Sequence, residues 1–460
     1  MADAPARMCP TVDELPDGWR VKRLGSFCTK IGTGATPRGG SEVYLDSRVS
    51  HALVRSQHVF DRHFDSAGLA FISDFHAKEL RNAEVQSGDV LLNITGDGVT
   101  FGRSCIVPDR ILPACVNQHV SIIRPDHREC NPGYLLSVLT LPATKGYIES
   151  FNSGGSRRAI TKGHIESFQI PLPPLAEQRT IAAVLGALDD KIELNRRMST
   201  SLELIARALF QSWFVDFDPV RAKLDGCVSA SLDAATASLF PSHFQDTPLG
   251  HIPQNWTIES VGDVVTCVGG ATPSTAEPKY WVDGTHHWTT PKDFSSLQAP
   301  ILLDTDRKLT DAGIAKISSD LLPAGTLLLS SRAPVGYLAI AALPVAINQG
   351  FIAMKCNERA SSFFMLNWCQ TNMAEIESRA TGTTFAEISK QNFRPIRIVL
   401  PPKELMATFT AKVAPPYAQI IANLRQSRTL ATLRDALLPK LLSGELSVGD
   451  SEQVNGTNAQ

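Results

Sequence analysis

Phe168-Gln169-Ile170-Pro171-Leu172-Pro173-Pro174 is answered 228 residues later by Ile396-Arg397-Ile398-Val399-Leu400-Pro401-Pro402. Each stretch is an apolar run of strand length closed by a double proline. After each double proline the apolar residues take up a helical period. The pairing extends upstream, where Leu15-Pro16-Asp17-Gly18-Trp19 matches Ile252-Pro253-Gln254-Asn255-Trp256 at a spacing of 237 residues. Gly34-Ala35-Thr36-Pro37 likewise matches Gly270-Ala271-Thr272-Pro273, and Asn117-Gln118 matches Asn348-Gln349. Solenoid units run to roughly 20–50 residues, so a period this long marks a duplicated globular domain with a helix behind it. Two related domains on one chain imply a target with two related halves.

Composition narrows the class. At about 150 residues per domain, 460 residues make two or three domains. No apolar run reaches the roughly 18–20 residues of a bilayer span. Met1 to Pro10 lacks the basic-then-apolar layout of a signal peptide. The nine cysteines are scattered without a Cys-x-x-Cys pair, which indicates neither a zinc site nor a disulfide framework. The expected location is a reducing cytoplasm, with no membrane partner. Net charge is −2; residues 15–170 carry 18 Lys/Arg against 15 Asp/Glu, and residues 252–400 carry 12 against 13. Neither balance is that of a protein gripping nucleic acid alone, so DNA binding would require clustered charge or a partner supplying phosphate contacts.

The expected fold is mixed α/β (α+β): two globular domains joined by two long antiparallel helices, with an internal pseudo-two-fold repeat. In the first copy Val90 to Ile94 and Val120 to Ile123 read as strands and Pro132 to Leu141 as a helix. In the second, Thr326 to Leu329, Tyr337 to Ala341 and Phe351 to Met354 read as strands and Ser361 to Arg379 as a helix. Behind Pro174, Ile181, Leu185, Leu188, Ile192, Asn195, Ser199, Leu202, Ala206, Leu209 and Trp213 follow the 4-3-4-3 spacing of a coiled-coil seam. A shift of 228 gives Phe409, Val413, Pro416, Ile420, Asn423, Ser427, Leu430, Arg434, Leu437 and Leu441. Pro415-Pro416 is expected to break or restart the second helix, and Arg434 to spoil one layer. Each helix on this pattern either covers its own domain or packs against the other. The second arrangement makes Asn195 and Asn423 face each other and fix the register. The resulting boundaries are 15–172, 173–215 (central helix), 216–247 (linker), 248–400, 401–446 (C-terminal helix) and 447–460 (disordered tail).

Catalytic signatures fail one by one. The chain has no Gly-x-x-x-x-Gly-Lys-Ser/Thr phosphate loop and no Gly-x-Ser-x-Gly elbow. Asn131-Pro132-Gly133-Tyr134 is one residue away from the Asn-Pro-Pro-Tyr loop of amino-methyltransferases, but no Phe-x-Gly-x-Gly cofactor loop precedes it. Glu277-Pro278-Lys279 lacks a supporting Pro-Asp, and His286-His287 lacks the spacing of a metal pair. What remains is a set of polar loop residues at equivalent places in both copies, of the types that read base edges and phosphates. They are Arg55, Gln57, His58, Arg103, Ser156, Arg157 and Arg158 in the first copy. In the second they are Thr290, Lys292, Asp293, Arg332, Thr383 and Thr384. The framework motifs repeat closely while these residues differ, as expected of two readers of different sequences.

Together these motifs resemble the specificity subunit of Type I restriction–modification enzymes. The resemblance is carried by Leu15-Pro16-Asp17-Gly18-Trp19, Gly34-Ala35-Thr36-Pro37, the Asn-Gln pairs and Ser153-Gly154-Gly155-Ser156-Arg157-Arg158-Ala159-Ile160. Ile170 to Gln178 and Trp213-Phe214-Val215-Asp216-Phe217-Asp218-Pro219 complete it, over residues 15–445. The second copy departs at Lys403-Glu404-Leu405-Met406, which lacks the Glu177-Gln178 pair. The resemblance implies two target recognition domains, each reading one half of an interrupted double-stranded DNA sequence. It implies helices that set the gap and dock two modification (methyltransferase) subunits, with restriction subunits completing an ATP-dependent nuclease. No catalytic residue or metal is then expected on this chain, and no cofactor. S-adenosylmethionine would sit on the modification subunit, ATP and Mg²⁺ on the restriction subunit. Glu177, Gln178, Phe210, Trp213 and Phe214 are expected to meet the partners. A specificity subunit of a Type IIB-like or orphan target-switching system is the alternative in the same class. A self-sufficient methyltransferase and a protein-binding scaffold are the alternatives outside it.

Overall fold

The computed structural model of the chain describes residues 15–96, 99–151, 158–227, 232–317, 319–382 and 386–447, with only the backbone of Arg158. These fall into two units: one takes the residues up to Glu193 together with those from Ser427 onward, the other takes Leu194–Gln426. The tail after residue 447 lies outside the described residues.

The principal strands of the first unit are β1 (Arg20–Arg23), β2 (Cys28–Thr33), β3 (His51–Val54), β4 (Ala70–Ile72), β5 (Glu84–Val85), β6 (Val90–Asn93), β7 (Ser104–Ile106), β8 (Ala114–Val116), β9 (Val120–Pro125) and β10 (Gln169–Leu172). Its principal helices are α1 (Pro132–Leu139), α2 (Pro142–Ser150) and the first half of α3 (Leu175–Phe214). One sheet has the order β7-β6-β9-β2 and the other β4-β3-β8-β5, with β3 and β8 parallel. In β6 and β9, Val90, Leu92 and Ile123 enter one core, while Leu91, Val120 and Ile122 enter another. Successive side chains of a strand point to opposite faces, so a sheet covered on both sides reads as an unbroken apolar run.

The second unit repeats this plan. Its strands are β11 (Thr257–Ser260), β12 (Thr266–Gly269), β13 (His286–Thr289), β14 (Ile301–Leu302), β15 (Arg307–Leu309), β16 (Leu327–Ser331), β17 (Val335–Ala341), β18 (Ala346–Ile347), β19 (Phe351–Lys355) and β20 (Arg397–Leu400). The sheet β12-β19-β16-β17-β14 matches β2-β9-β6-β7 with one strand added, and β15-β13-β18 matches β4-β3-β8, again with one parallel pair. Leu327, Leu329, Ile352 and Met354 face one core and Leu328, Phe351 and Ala353 the other. The repeated sequence ends pair with each other: β1 lies antiparallel to β10 (Arg20 opposite Leu172) and β11 to β20 (Thr257 opposite Leu400). Each globular domain thus closes at the strand that delivers the chain into a long helix.

Three helical expectations change. Pro132 to Leu141 ends at Leu139, and Pro142, which suits a first helical turn, opens α2. Ser361 to Arg379 divides into α4 (Ser362–Thr371) and α5 (Met373–Ser378) at Asn372, whose φ of −100° and ψ of 21° leave the helical region. The third change concerns Pro415-Pro416, which break nothing: α6 runs unbroken from Lys403 to Leu442. A proline inside a helix costs about 3 kcal/mol. Here the carbonyls deprived of donors, on Ala411 and Lys412, belong to exposed residues, where water replaces the bond. Phe409, Val413, Tyr417 and Ile420 are at most 1% exposed, and burying each contributes about 1.5–3 kcal/mol, which outweighs the loss.

The seam residues divide between the units. In the first, Ile181 and Leu185 of α3 share a core with Leu438, Leu441 and Leu442 of α6. In the second, Ala206, Phe210 and Trp213 share one with Phe409, Val413 and Ile420. Arg434 does not spoil its layer. Its Nη1 lies 2.8 Å from Asp189, which also binds Arg62 at 2.6 Å, and Arg62 donates further to Ser137 and Thr140. A charge on the seam is accommodated because a carboxylate waits opposite it.

Candidate nucleic-acid interface

Both sets of loop residues start where the equivalent strands end. After β3, Arg55 leads into a single turn at Ser56–His58, and its backbone N–H donates to His58 Nδ1 at 3.0 Å. His58 is fully buried, and burial first, then the Arg55 charge, lowers its pKa below the ordinary histidine value. This corrects the expectation for His58: the neutral imidazole caps its own turn and presents nothing to a ligand. Arg55 donates to the Gly68 carbonyl at 2.8 Å and lies 5.6 Å from the Tyr44 ring. It lines an open hollow of about 700 Å³ with Tyr44, Asp46 and Ser66. Gln57 is exposed, and Arg103 stacks on Phe60 at 4.5 Å. Backbone pairing joins Arg158 to Gly96. Ser156, Arg157, Thr383 and Thr384 lie outside the described residues.

After β13, Thr290 opens the turn Pro291–Phe294. Asp293 accepts hydrogen bonds from Thr290 N (2.7 Å), Thr290 Oγ1 (3.0 Å), Thr289 Oγ1 (3.3 Å) and Asp306 N (2.9 Å). Three of the four fall on Oδ2, so Asp293 caps its own turn, and Oδ1 keeps one acceptor site. Thr290, Lys292 and Arg332 come together around one hollow of about 460 Å³, which Tyr337 and Asn348 also line. Lys292 is 84% exposed and 3.6 Å from Asp306; Arg332 is 3.6 Å from Glu387. The cations are therefore loosely held at the surface, as exchangeable contacts for an anionic ligand require.

The expected partner contacts fare differently. Phe210, Trp213 and Phe214 are 2%, 1% and 8% exposed. They pack ring against ring with Phe364, Phe240 and Phe409 at 5.4, 5.2 and 4.9 Å. They are core of the second unit, not partner surface, because the far half of α3 is covered by that unit's own helices. Gln178 is also buried: its amide donates to Glu129 O and Pro173 O and accepts from Asn131 N, locking the helix start to the globular domain. Glu177 is half-buried. The exposed large apolar residues of α3 are Leu194, Leu204 and Ile205, at 47%, 55% and 59%. All three fall off the seam spacing, which is the signal that the sequence carries for them.

Asn195 and Asn423 are buried and come together. Asn195 Nδ2 donates to Gln426 Oε1 at 2.9 Å and approaches Asn423 O at 3.5 Å; Asn423 Nδ2 donates to Ser199 Oγ at 3.3 Å and approaches Asn195 O at 3.5 Å. The amides engage backbone and neighbours rather than each other. Among the described residues no three His, Cys, Asp or Glu side chains gather as a metal site, and no helix is long and apolar enough to cross a membrane.

Residues 16–204 and 253–406 match the family model described as "Type I restriction modification DNA specificity domain". The chain is 26% identical over 405 residues to the Type I restriction enzyme HindI specificity subunit of Haemophilus influenzae, covering 79% of this chain and 87% of that one. It is 22% identical over 233 residues to the EcoKI specificity subunit of Escherichia coli, covering 50% of this chain and 47% of that one. In fold it is similar to the S subunit of a Type I restriction–modification system from M. genitalium, with a TM-score of 0.52, 13% identity, and 95% and 98% of the two chains covered.

Proposed function

Since the chain belongs to the Type I restriction modification DNA specificity family, we propose that it selects the DNA sequence on which a restriction–modification complex acts. Each globular domain reads one half of an interrupted duplex target. The observation that carries this reading is the duplication itself: the same strand end in both domains, β3 and β13, presents different polar residues. Arg55, Gln57 and Arg103 are the readers of the first domain, and Thr290, Lys292 and Arg332 those of the second. The chain contributes no catalytic group. S-adenosylmethionine belongs to the modification subunits, ATP and Mg²⁺ to the restriction subunits. The long helices set the gap, and their faces off the seam, including Leu194, Leu204 and Ile205, meet the modification subunits.

Co-expression with the modification subunit, followed by mapping of methylated bases in the host genome, tests the reading. One interrupted motif is the expected result, and Arg332→Ala should relax preference in one half only. A bidentate arginine is worth about 1–3 kcal/mol of discrimination at a base pair, whereas a phosphate contact weakens all sequences alike. Methylation by the chain without its partner, or no sequence preference with it, would overturn the reading.

A further inference from the structure

The repeated Gly-Ala-Thr-Pro and Asn-Gln motifs lie far apart in sequence but meet in both domains. Thr36 Oγ1 donates to Gln118 Oε1, and Thr272 Oγ1 donates to Gln349 Oε1 at 2.5 Å. Glycine is required beside each clasp: a Cβ on Gly34 would stand 1.7 Å from Val116 O, and one on Gly270 2.1 Å from Ile347 O. The asparagines shape the turn that carries the glutamine. Asn117 Oδ1 accepts from His119 N at 3.1 Å and Asn348 Oδ1 from Gly350 N at 2.9 Å. Their backbone N–H groups bond to Val54 O and Thr289 O, the residues immediately before Arg55 and Thr290. The clasp therefore sits against the root of each reading loop.

We infer that Gln118 and Gln349 anchor the DNA backbone, one phosphodiester in each half-site, a role that rests on the function proposed above. Both glutamines and both threonines are exposed. The threonine hydroxyl donates to the amide oxygen and so leaves Nε2 as the donor each clasp offers, with at least one of its protons not engaged by the described residues. Gln118 Nε2 stands 3.4 Å from His119 Nε2, and among the described residues no other hydrogen bond engages the Gln349 amide nitrogen. An exposed glutamine alone is an ordinary solvated side chain. Here the same oriented donor recurs at the same place, while the neighbouring readers change from Arg55 to Thr290. A group kept the same in readers of unlike sequences meets an acceptor common to all DNA, and that acceptor is the phosphate oxygen.

The test uses the complex with the modification subunit and two short duplexes, one carrying the mapped target and one scrambled. Gln118→Ala and Gln349→Ala should each weaken binding about tenfold on both duplexes, the loss expected for one hydrogen bond to a charged acceptor. The methylated sequence and the melting temperature should stay unchanged. Gln118→Lys should restore affinity on both duplexes and steepen the salt dependence by about one phosphate contact. A changed methylated motif would make these glutamines base readers, and wild-type affinity in both alanine variants would make the clasp purely structural; either overturns the inference. If the wild-type complex itself failed to prefer its target duplex, the failure would instead be that of the proposed function.

Discussion

At the scale of single residues, burial separates side chains that the sequence presents as equals. Arg55, Gln57 and His58 stand within four positions, yet His58 is fully buried while Gln57 is exposed. Its pKa is lowered, so the folded state favours the neutral ring and the unfolded state binds the proton more readily. The stability this provides is present above the ordinary histidine pKa of about 6.5 and is lost as pH falls through the lower folded value. The melting temperature should therefore drop with acidification more steeply in the wild type than in His58→Asn, whose amide oxygen still accepts from Arg55 N–H. Parallel curves for the two proteins would remove His58 as a source of acid sensitivity. The identity of such a buried cap is not legible in the sequence, since a histidine caps a turn as well as it reads a base.

At the scale of elements, periodicity carried far and chemistry at the seam did not. The 4-3-4-3 spacing located both long helices, and the apolar runs located β6, β9, β16 and β19. Which side of Phe210, Trp213 and Phe214 is covered depends on Phe240, Phe364 and Phe409, and no spacing within one helix reports that. Asp189 stands just off the spacing, yet it joins Arg62 and Arg434, which are 5% and 17% exposed. Removing the acid leaves two cations facing each other. Asp189→Asn should cost about 3–5 kcal/mol in chemical denaturation, while Arg62→Met with Asp189→Leu and Arg434→Met should recover most of it. A loss below about 1 kcal/mol for Asp189→Asn would class the cluster with ordinary surface pairs. The asparagine layer behaves differently. Replacing Asn195 and Asn423 together by Leu removes buried polar groups and should raise the melting temperature, but it also removes a layer that prefers a single alignment. Methylation mapping with the double variant should then show more than one gap length. A unique, unchanged gap would exclude a register role for the pair.

At the scale of the whole molecule, the two units follow contact rather than sequence order: residues 194–214 of α3 belong with the second globular domain, and the last turns of α6 with the first. An exchange of recognition domains must respect that division. Replacing residues 15–170 leaves α3, α6 and the second unit intact, but it exchanges Arg62, Ser137 and Thr140, which bind Asp189 or Arg62 in the native joint. The incoming domain therefore needs an arginine at the position of Arg62, or Asp189 and Arg434 changed with it. Given that match, methylation mapping should show one new half-site, the second half unchanged and the gap retained. The same exchange without the arginine should show the new half-site with a lowered melting temperature. If a single domain exchange altered both halves, the assignment of one domain to one half-site would fall, however well the hybrid folded.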